Sequence, residues 1–125
     1  GRLTNLKVTG LGVKYDGQAV RTVRVHEALA DSLLRILTAL AASHPEILAQ
    51  YAGTYNFRKM RGGRRYSLHA RGAAGDFAPA TNGNRTAWPT AATMPISVME
   101  TFAREGWIPA GAFWGRDAMH FQATQ

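Results

Sequence analysis

The sequence predicts an α+β fold in which a small antiparallel sheet carries flanking helices. Three observations lead to this prediction: a hairpin signal near the start, one long stretch with helical spacing of leucines, and a second half in which glycines separate short apolar pieces. The elements run hairpin, helix, strands, helix, strands, which is typical of an α+β arrangement. At 125 residues and 13.6 kDa the chain can bury one core, so a single domain over residues 1–125 is expected.

The first half contains the hairpin and the long helix. Asp16-Gly17 suits a type I′ turn and predicts a hairpin over residues 12–20. A helix is predicted from Val25 to about Ala42, because apolar residues recur there with a helical period. They are Leu29, Leu33, Leu34, Ile36, Leu37 and Leu40. Ser43-His44-Pro45 then ends or interrupts the helix.

The second half is built from shorter pieces. A turn-rich segment runs from Pro79 to Met94, and a second helix is predicted over residues 95–105, with Gly106 just past its end. Trp107-Ile108 begins a strand, and the last strand is predicted over residues 118–122. A loop rich in glycine and aromatic residues is expected between these two strands.

Composition excludes several chemistries. The absence of cysteine excludes a thiol nucleophile, a redox pair and a thiolate zinc site, so any metal must bind to histidine and carboxylate. No stretch approaches the roughly 20 apolar residues that a membrane span requires. The start of the chain also lacks the order of a secretory signal. The sequence therefore predicts no membrane span and leaves the localisation open.

The net charge of +7 favours anionic partners such as nucleic acid, acidic lipid or an anionic cell envelope. Six of the fifteen basic residues fall between positions 58 and 71. They are Arg58, Lys59, Arg61, Arg64, Arg65 and Arg71. A solvated loop in a basic protein explains them as well as a nucleic-acid surface or an electropositive rim facing a substrate does.

Two of the four histidines are interpreted as structural. His26-Glu27 invites a test for the HExxH zinc helix, but that motif requires a histidine at position 30, where Ala30 stands. We expect His26 near the start of the long helix and His44 near its end, where partial positive charge suits the helix dipole.

The other two histidines have carboxylates at suggestive distances in the sequence. His69 precedes Asp76 by seven residues, and the glycines between them argue against a shared helix, so the aspartate is expected on a strand. Asp117 precedes His120 by three residues. A catalytic zinc site needs three protein ligands, which His69, Asp76 and His120 could supply. Asp117 would then remain as general base. The alternative is a set of structural hydrogen bonds between aspartate and histidine.

These residues also carry a family resemblance. The pattern Ser67-x-His69-x-x-Gly72-x-Ala74-x-Asp76, followed by Asp117-x-x-His120, resembles the signature of the D-alanyl-D-alanine carboxypeptidase family of zinc peptidases. That family includes D-alanyl-D-alanine dipeptidases and phage endolysins that cut L-alanyl-D-glutamate bonds.

Other segments from Tyr51 onward support the resemblance. They are Tyr55-Asn56-Phe57-Arg58, Val98-Met99-Glu100-Thr101-Phe102, Gly106-Trp107 and Met119-His120-Phe121-Gln122. Two positions depart from it: Gly75 stands where relatives often have an apolar residue, and Phe77 stands near a place where they have asparagine.

The resemblance implies a hedgehog/D-Ala-D-Ala peptidase-like fold and a Zn²⁺ ion held by His69, Asp76 and His120. It implies Asp117 as catalytic base. Many members have glutamate at this position, and the aspartate is similar to the endolysin-like branch of the family. Arg58 would stabilise the oxyanion or hold a substrate carboxylate. A solvent-exposed arginine is the plain alternative.

Two further residues are candidates for binding substrate. Ser67 would hydrogen-bond the substrate backbone, or it would be a loop hydroxyl without a part in catalysis. Trp114, three residues before Asp117, is a candidate to touch the substrate, whereas Trp107 is interpreted as packing.

Three functions follow in order of preference. The first is an endolysin-type endopeptidase, of phage or prophage origin, acting on the peptidoglycan stem peptide in the cell wall. The second is a D-alanyl-D-alanine carboxypeptidase with the same metal centre. The third is a basic nucleic-acid-binding module, which predicts salt-sensitive binding and no zinc, and leaves the histidine and aspartate pattern unexplained.

Overall fold

A computed structural model describes residues 2–54 and 71–123 of the chain. The strands are β1 (Leu3–Lys7), β2 (Lys14–Tyr15), β3 (Gln18–Ala19), β4 (Thr22–His26), β5 (Tyr51–Gly53), β6 (Ala74–Phe77), β7 (Ile108–Pro109) and β8 (His120–Gln122). The helices are α1 (Ala30–Ser43), α2 (Pro45–Leu48), α3 (Ile96–Arg104) and α4 (Ala110–Trp114). This mixture of helices and small antiparallel sheets confirms the α+β prediction. Within the described ranges, no helix has the length and apolar character needed to cross a membrane.

The predicted hairpin forms as expected. Strands β2 and β3 pair antiparallel, with Tyr15 opposite Gln18, so that Asp16 and Gly17 are the two turn residues. Both have positive φ, 50° and 79°, as a type I′ turn requires. This hairpin lies between β1 and β4, which pair with each other along their full length.

The long helix begins later than predicted. Val25 and His26 belong to strand β4, and a 3₁₀ turn (Glu27–Leu29) separates that strand from α1. Burial in β4 alternates, with Val23 and Val25 buried and their neighbours exposed or half-buried, which is the period of a strand and not of a helix. His26 Nδ1 accepts a hydrogen bond from the Ala28 N–H at 3.1 Å and so caps the turn. The end of α1 at Ser43, before Pro45, is as predicted.

A separate four-stranded sheet has the order β5-β6-β8-β7, and every neighbouring pair in it is antiparallel. Helix α3 confirms the prediction for residues 95–105, and Gly106 follows it with a φ of 83°. The expected loop between the last strands was wrong, because α4 lies there. Its small residues let this short helix pack closely, since a Cβ at Gly111 would lie 2.8 Å from the Ala118 Cβ, and Gly115 ends it in the left-handed conformation.

A cluster of aromatic rings fixes the strands of this sheet to α3. Phe102 of α3 stacks on Phe121 of β8 with ring centroids 4.0 Å apart, and Phe77 of β6 lies 5.9 Å from Phe102. Trp107 packs edge-on against Phe102 and donates a hydrogen bond from Nε1 to Ser32 Oγ at 2.7 Å. Trp107 is therefore a packing residue, as predicted. Phe77 and Phe121 directly follow Asp76 and His120, so the cluster anchors the strands that carry the candidate site.

Candidate active site

Strand register brings Asp76 and His120 together. They lie opposite each other on the paired strands β6 and β8, although 44 residues separate them in the chain. His120 Nδ1 is 3.1 Å from Asp76 Oδ1, and their side chains are 12% and 20% exposed. A histidine nitrogen and a carboxylate oxygen thus meet at a site that is shielded but open to solvent on one side.

The glycine-rich approach to β6 is required by close packing. The Gly72 carbonyl accepts a hydrogen bond from the His26 N–H at 3.0 Å, and Gly72 has a φ of 68°. A Cβ atom there would lie 2.6 Å from the His26 nitrogen. At Gly75 a Cβ would lie 3.4 Å from the Thr54 side chain. Close packing against the first half of the chain therefore requires glycine at position 72, whereas a Cβ at Gly75 would make an ordinary van der Waals contact.

Asp117 lies in the turn that enters β8. Its carbonyl accepts a hydrogen bond from the His120 N–H at 2.9 Å, and its φ of 57° is left-handed, a conformation that aspartate tolerates better than most residues. The Oδ1 atom is buried, and the carboxylate lies close enough for its charge to act on His120. The turn thus places a second carboxylate beside the Asp76–His120 pair.

The segment between β6 and α3, for which the sequence predicted turns and nothing more, supports this turn. Asn82 is fully buried, and its Oδ1 accepts hydrogen bonds from the N–H groups of Thr93 and Met94 at 2.9 and 2.7 Å. Its carbonyl accepts from the Met119 N–H at 3.0 Å, and the Gly115 carbonyl accepts from the Trp88 N–H at 2.9 Å. Sequence reasoning missed Asn82; the turn-rich segment predicted from Pro79 to Met94 marked the place but not the contact.

The groups around His120 favour the protonated, positively charged form of its imidazole. Burial acts to lower the pKa of His120. Hydrogen bonds to Asp76 and Gln122 act in the opposite direction. The charges of Asp76 and Asp117 add to the upward shift, so the pKa of His120 lies above its ordinary value. A cation at this position would meet the same attraction.

Trp114 borders the site on its exposed side. Its ring stacks on that of His120, with centroids 5.7 Å apart and planes at 22°. The indole is 46% exposed, and the neighbouring Phe113 is 68% exposed. A groove of about 370 Å³ lies here, lined by Ile108, Phe113, Trp114 and Gln122. The groove therefore has aromatic walls, and two of its lining residues, Trp114 and Gln122, contact His120.

The other predicted site residues lie outside the described residues. These are Arg58, Ser67 and His69. Within residues 2–54 and 71–123, no three histidine, aspartate or glutamate side chains converge as a metal-binding group. The donor set of Asp76 and His120 nevertheless fits Zn²⁺, which binds imidazole nitrogen and carboxylate oxygen in catalytic sites. The negative charges of Asp76 and Asp117, which favour a proton on His120, would also attract a metal cation.

A family model described as D-alanyl-D-alanine carboxypeptidase matches residues 61–123, which is half of the chain. The chain belongs to this family. Membership makes the protein a peptidase of the class that acts on peptidoglycan-type substrates. The matched stretch includes Asp76, Asp117 and His120 and begins after Arg58. Neither the curated proteins nor the solved structures gave a match to the chain.

Proposed function

We propose that the protein is a zinc-dependent endopeptidase that hydrolyses the L-alanyl-D-glutamate bond of the peptidoglycan stem peptide. The observation that carries this proposal is the pairing of Asp76 with His120 across β6 and β8, at 3.1 Å, beside the partly buried Asp117. All three residues lie in the segment matched by the peptidase family model. In this proposal residues 1–125 act as one catalytic domain.

In this assignment His69, Asp76 and His120 hold Zn²⁺. Zinc, when bound, supplies a Lewis acid that polarises the scissile carbonyl and lowers the pKa of the attacking water towards about 7. Two strand-borne ligands suit that work, because the register of β6 against β8 fixes their separation before the metal arrives.

Asp117 acts as the general base. Its carboxylate accepts a proton from the attacking water and then gives that proton to the leaving amine. The turn that holds Asp117 is fixed by the carbonyl of Asn82 and by the left-handed backbone at residue 117 itself. The backbone of two segments therefore positions the base.

The remaining residues bind substrate. The Arg58 guanidinium stabilises the negative charge that develops on the carbonyl oxygen, or holds a substrate carboxylate. Ser67 hydrogen-bonds the peptide backbone. Trp114 forms a wall of the groove beside His120, where an extended stem peptide can lie against its exposed face.

A D-alanyl-D-alanine carboxypeptidase is the second candidate, and the description of the matching family favours it. It would use the same metal and the same base. Aspartate at position 117, where many carboxypeptidases of the family have glutamate, supports the endopeptidase instead. The two activities differ in whether the substrate must present a free terminal carboxylate.

The products of muropeptide digestion separate the candidates. Purified muropeptides are incubated with zinc-loaded protein and analysed by mass spectrometry, with Asp117→Asn protein as the matched control. A new D-Glu amino terminus, absent from the control, is the expected result. Loss of terminal D-Ala would replace the endopeptidase with the carboxypeptidase. Intact muropeptides after incubation with protein shown to hold zinc would refute both.

A further inference from the structure

Gln122 contacts the candidate metal ligand from the side opposite Asp76. It follows His120 by two residues on β8, so both side chains project from the same face of the sheet. Gln122 Oε1 is 2.9 Å from His120 Nε2, while His120 Nδ1 is 3.1 Å from Asp76 Oδ1. Gln122 is only 7% exposed. The imidazole is therefore held at both nitrogens by partners on two strands.

Both partners of the ring accept hydrogen bonds in the metal-free protein, the Asp76 carboxylate from Nδ1–H and the Gln122 amide oxygen from Nε2–H. When Asp76 and His120 share a metal, Nδ1 gives up its proton, and the amide oxygen still requires one on Nε2. A neutral imidazole carries one N–H, and the other nitrogen then has the lone pair that a metal needs. With Nε2–H donating to Gln122, that lone pair lies on Nδ1, the nitrogen beside Asp76.

We propose that Gln122 is a positioning residue that fixes the Nε2–H tautomer of His120 and thereby presents Nδ1 to the metal. This inference rests on the proposed function for its metal. Metal-bound histidines commonly donate their second N–H to an oxygen acceptor, and loss of such a partner typically weakens metal binding about 10- to 100-fold.

Packing makes the arrangement specific. The Trp114 ring stacks against the His120 ring and limits its rotation out of the plane that the two hydrogen bonds define. Gln122 itself is paired in the sheet with Ala74 and Ile108, so its backbone cannot move away from His120 without disrupting two strand pairs. A rotated Gln122 amide would present N–H groups instead of oxygen, and would leave the proton on Nδ1.

The test uses zinc-loaded protein. Long-range ¹H–¹⁵N NMR reports which nitrogen of His120 carries the proton and which one binds the metal. The signals are assigned by their loss in His120→Asn. We expect Nε2–H in the unmodified protein and in Gln122→Glu, which keeps an acceptor oxygen. In Gln122→Met, which keeps the volume without an acceptor, we expect a mixture of tautomers.

Zinc affinity is then measured by competition with a chromophoric chelator. We expect Gln122→Met to bind zinc about 10- to 100-fold more weakly, and Gln122→Glu to bind close to the unmodified protein or more tightly. A merely structural role would lower the melting temperature of both variants without shifting the tautomer. Nδ1–H in the zinc-loaded unmodified protein, or unchanged tautomer and affinity in Gln122→Met, would overturn the inference.

Failure of the proposed function gives a different result. The NMR and zinc-binding experiments require no substrate. A protein that binds zinc with His120 in the Nε2–H tautomer but cleaves no muropeptide would refute the peptidase while leaving the role of Gln122 intact. A protein that takes up no zinc would overturn both.

Discussion

Replacing Gly72 with alanine tests whether the start of strand β6 is set by close packing. At Gly72 the φ of 68° is left-handed, which costs a residue with a Cβ about 1–2 kcal/mol. The new methyl group would also lie 2.6 Å from the His26 nitrogen and 2.9 Å from the Val25 carbonyl carbon. These are backbone atoms and cannot rotate away, so overpacking adds about 1–3 kcal/mol. The sum predicts that Gly72→Ala lowers the free energy of unfolding by about 2–5 kcal/mol.

Gly12 offers a matched control. It has a φ of 83°, and a Cβ there would meet no atom of residues 2–54 and 71–123 within 4 Å. Gly12→Ala therefore carries the conformational cost alone, about 1–2 kcal/mol. The loss of unfolded-state entropy that alanine brings is the same at both positions and cancels in the comparison.

Urea denaturation of the two variants, followed by circular dichroism, measures the difference. We expect Gly72→Ala to be less stable than Gly12→Ala by about 1–3 kcal/mol, the contribution of the steric contact. At this chain length that corresponds to a further fall in melting temperature of roughly 4–12 °C. Equal stability of the two variants would refute the argument that close approach to β4 fixes Gly72.

Further predictions concern the base, the supporting loop and the core. Asp117→Asn keeps the volume and the left-handed preference, so it should bind zinc normally while turnover falls about 10²- to 10⁴-fold; normal turnover would remove Asp117 from the mechanism. Asn82→Ala leaves the buried N–H groups of Thr93 and Met94 without their acceptor and should cost about 2–4 kcal/mol in urea unfolding; a loss below about 1 kcal/mol would mean that the loop finds other partners. Phe102→Ala should lower stability by about 3–5 kcal/mol, measured the same way, and a neutral result would contradict the aromatic anchoring of the site strands.

Local chemistry made part of the fold predictable. Asp16-Gly17 determined its turn because the type I′ conformation needs two residues that accept positive φ. The end of α1 followed from Pro45 for the same kind of local reason. The start of α1 was misplaced because Val25 fits both a strand and a helix pattern, and only pairing with β1 decides between them. The helix α4 was missed because its five residues are too few to show a period.

The candidate site was predictable in its residue types but not in its contacts. Asp117 and His120 lie in one turn, so their proximity follows from the sequence. The contact between Asp76 and His120 depends on the register of β6 against β8, which no spacing along the chain reveals. Asn82 and Gln122 were not singled out, because an amide has no distinguishing pattern until the fold supplies its partners.

The central claim is that the Asp76–His120 pair belongs to a zinc site that hydrolyses wall peptides. The most direct measurement follows muropeptide cleavage while zinc is titrated into chelator-treated protein. Cleavage should be absent without zinc and should rise to a plateau at one zinc per chain, whereas His120→Ala should show neither zinc uptake nor cleavage. Cleavage by the metal-free protein as fast as by the loaded protein would contradict the account.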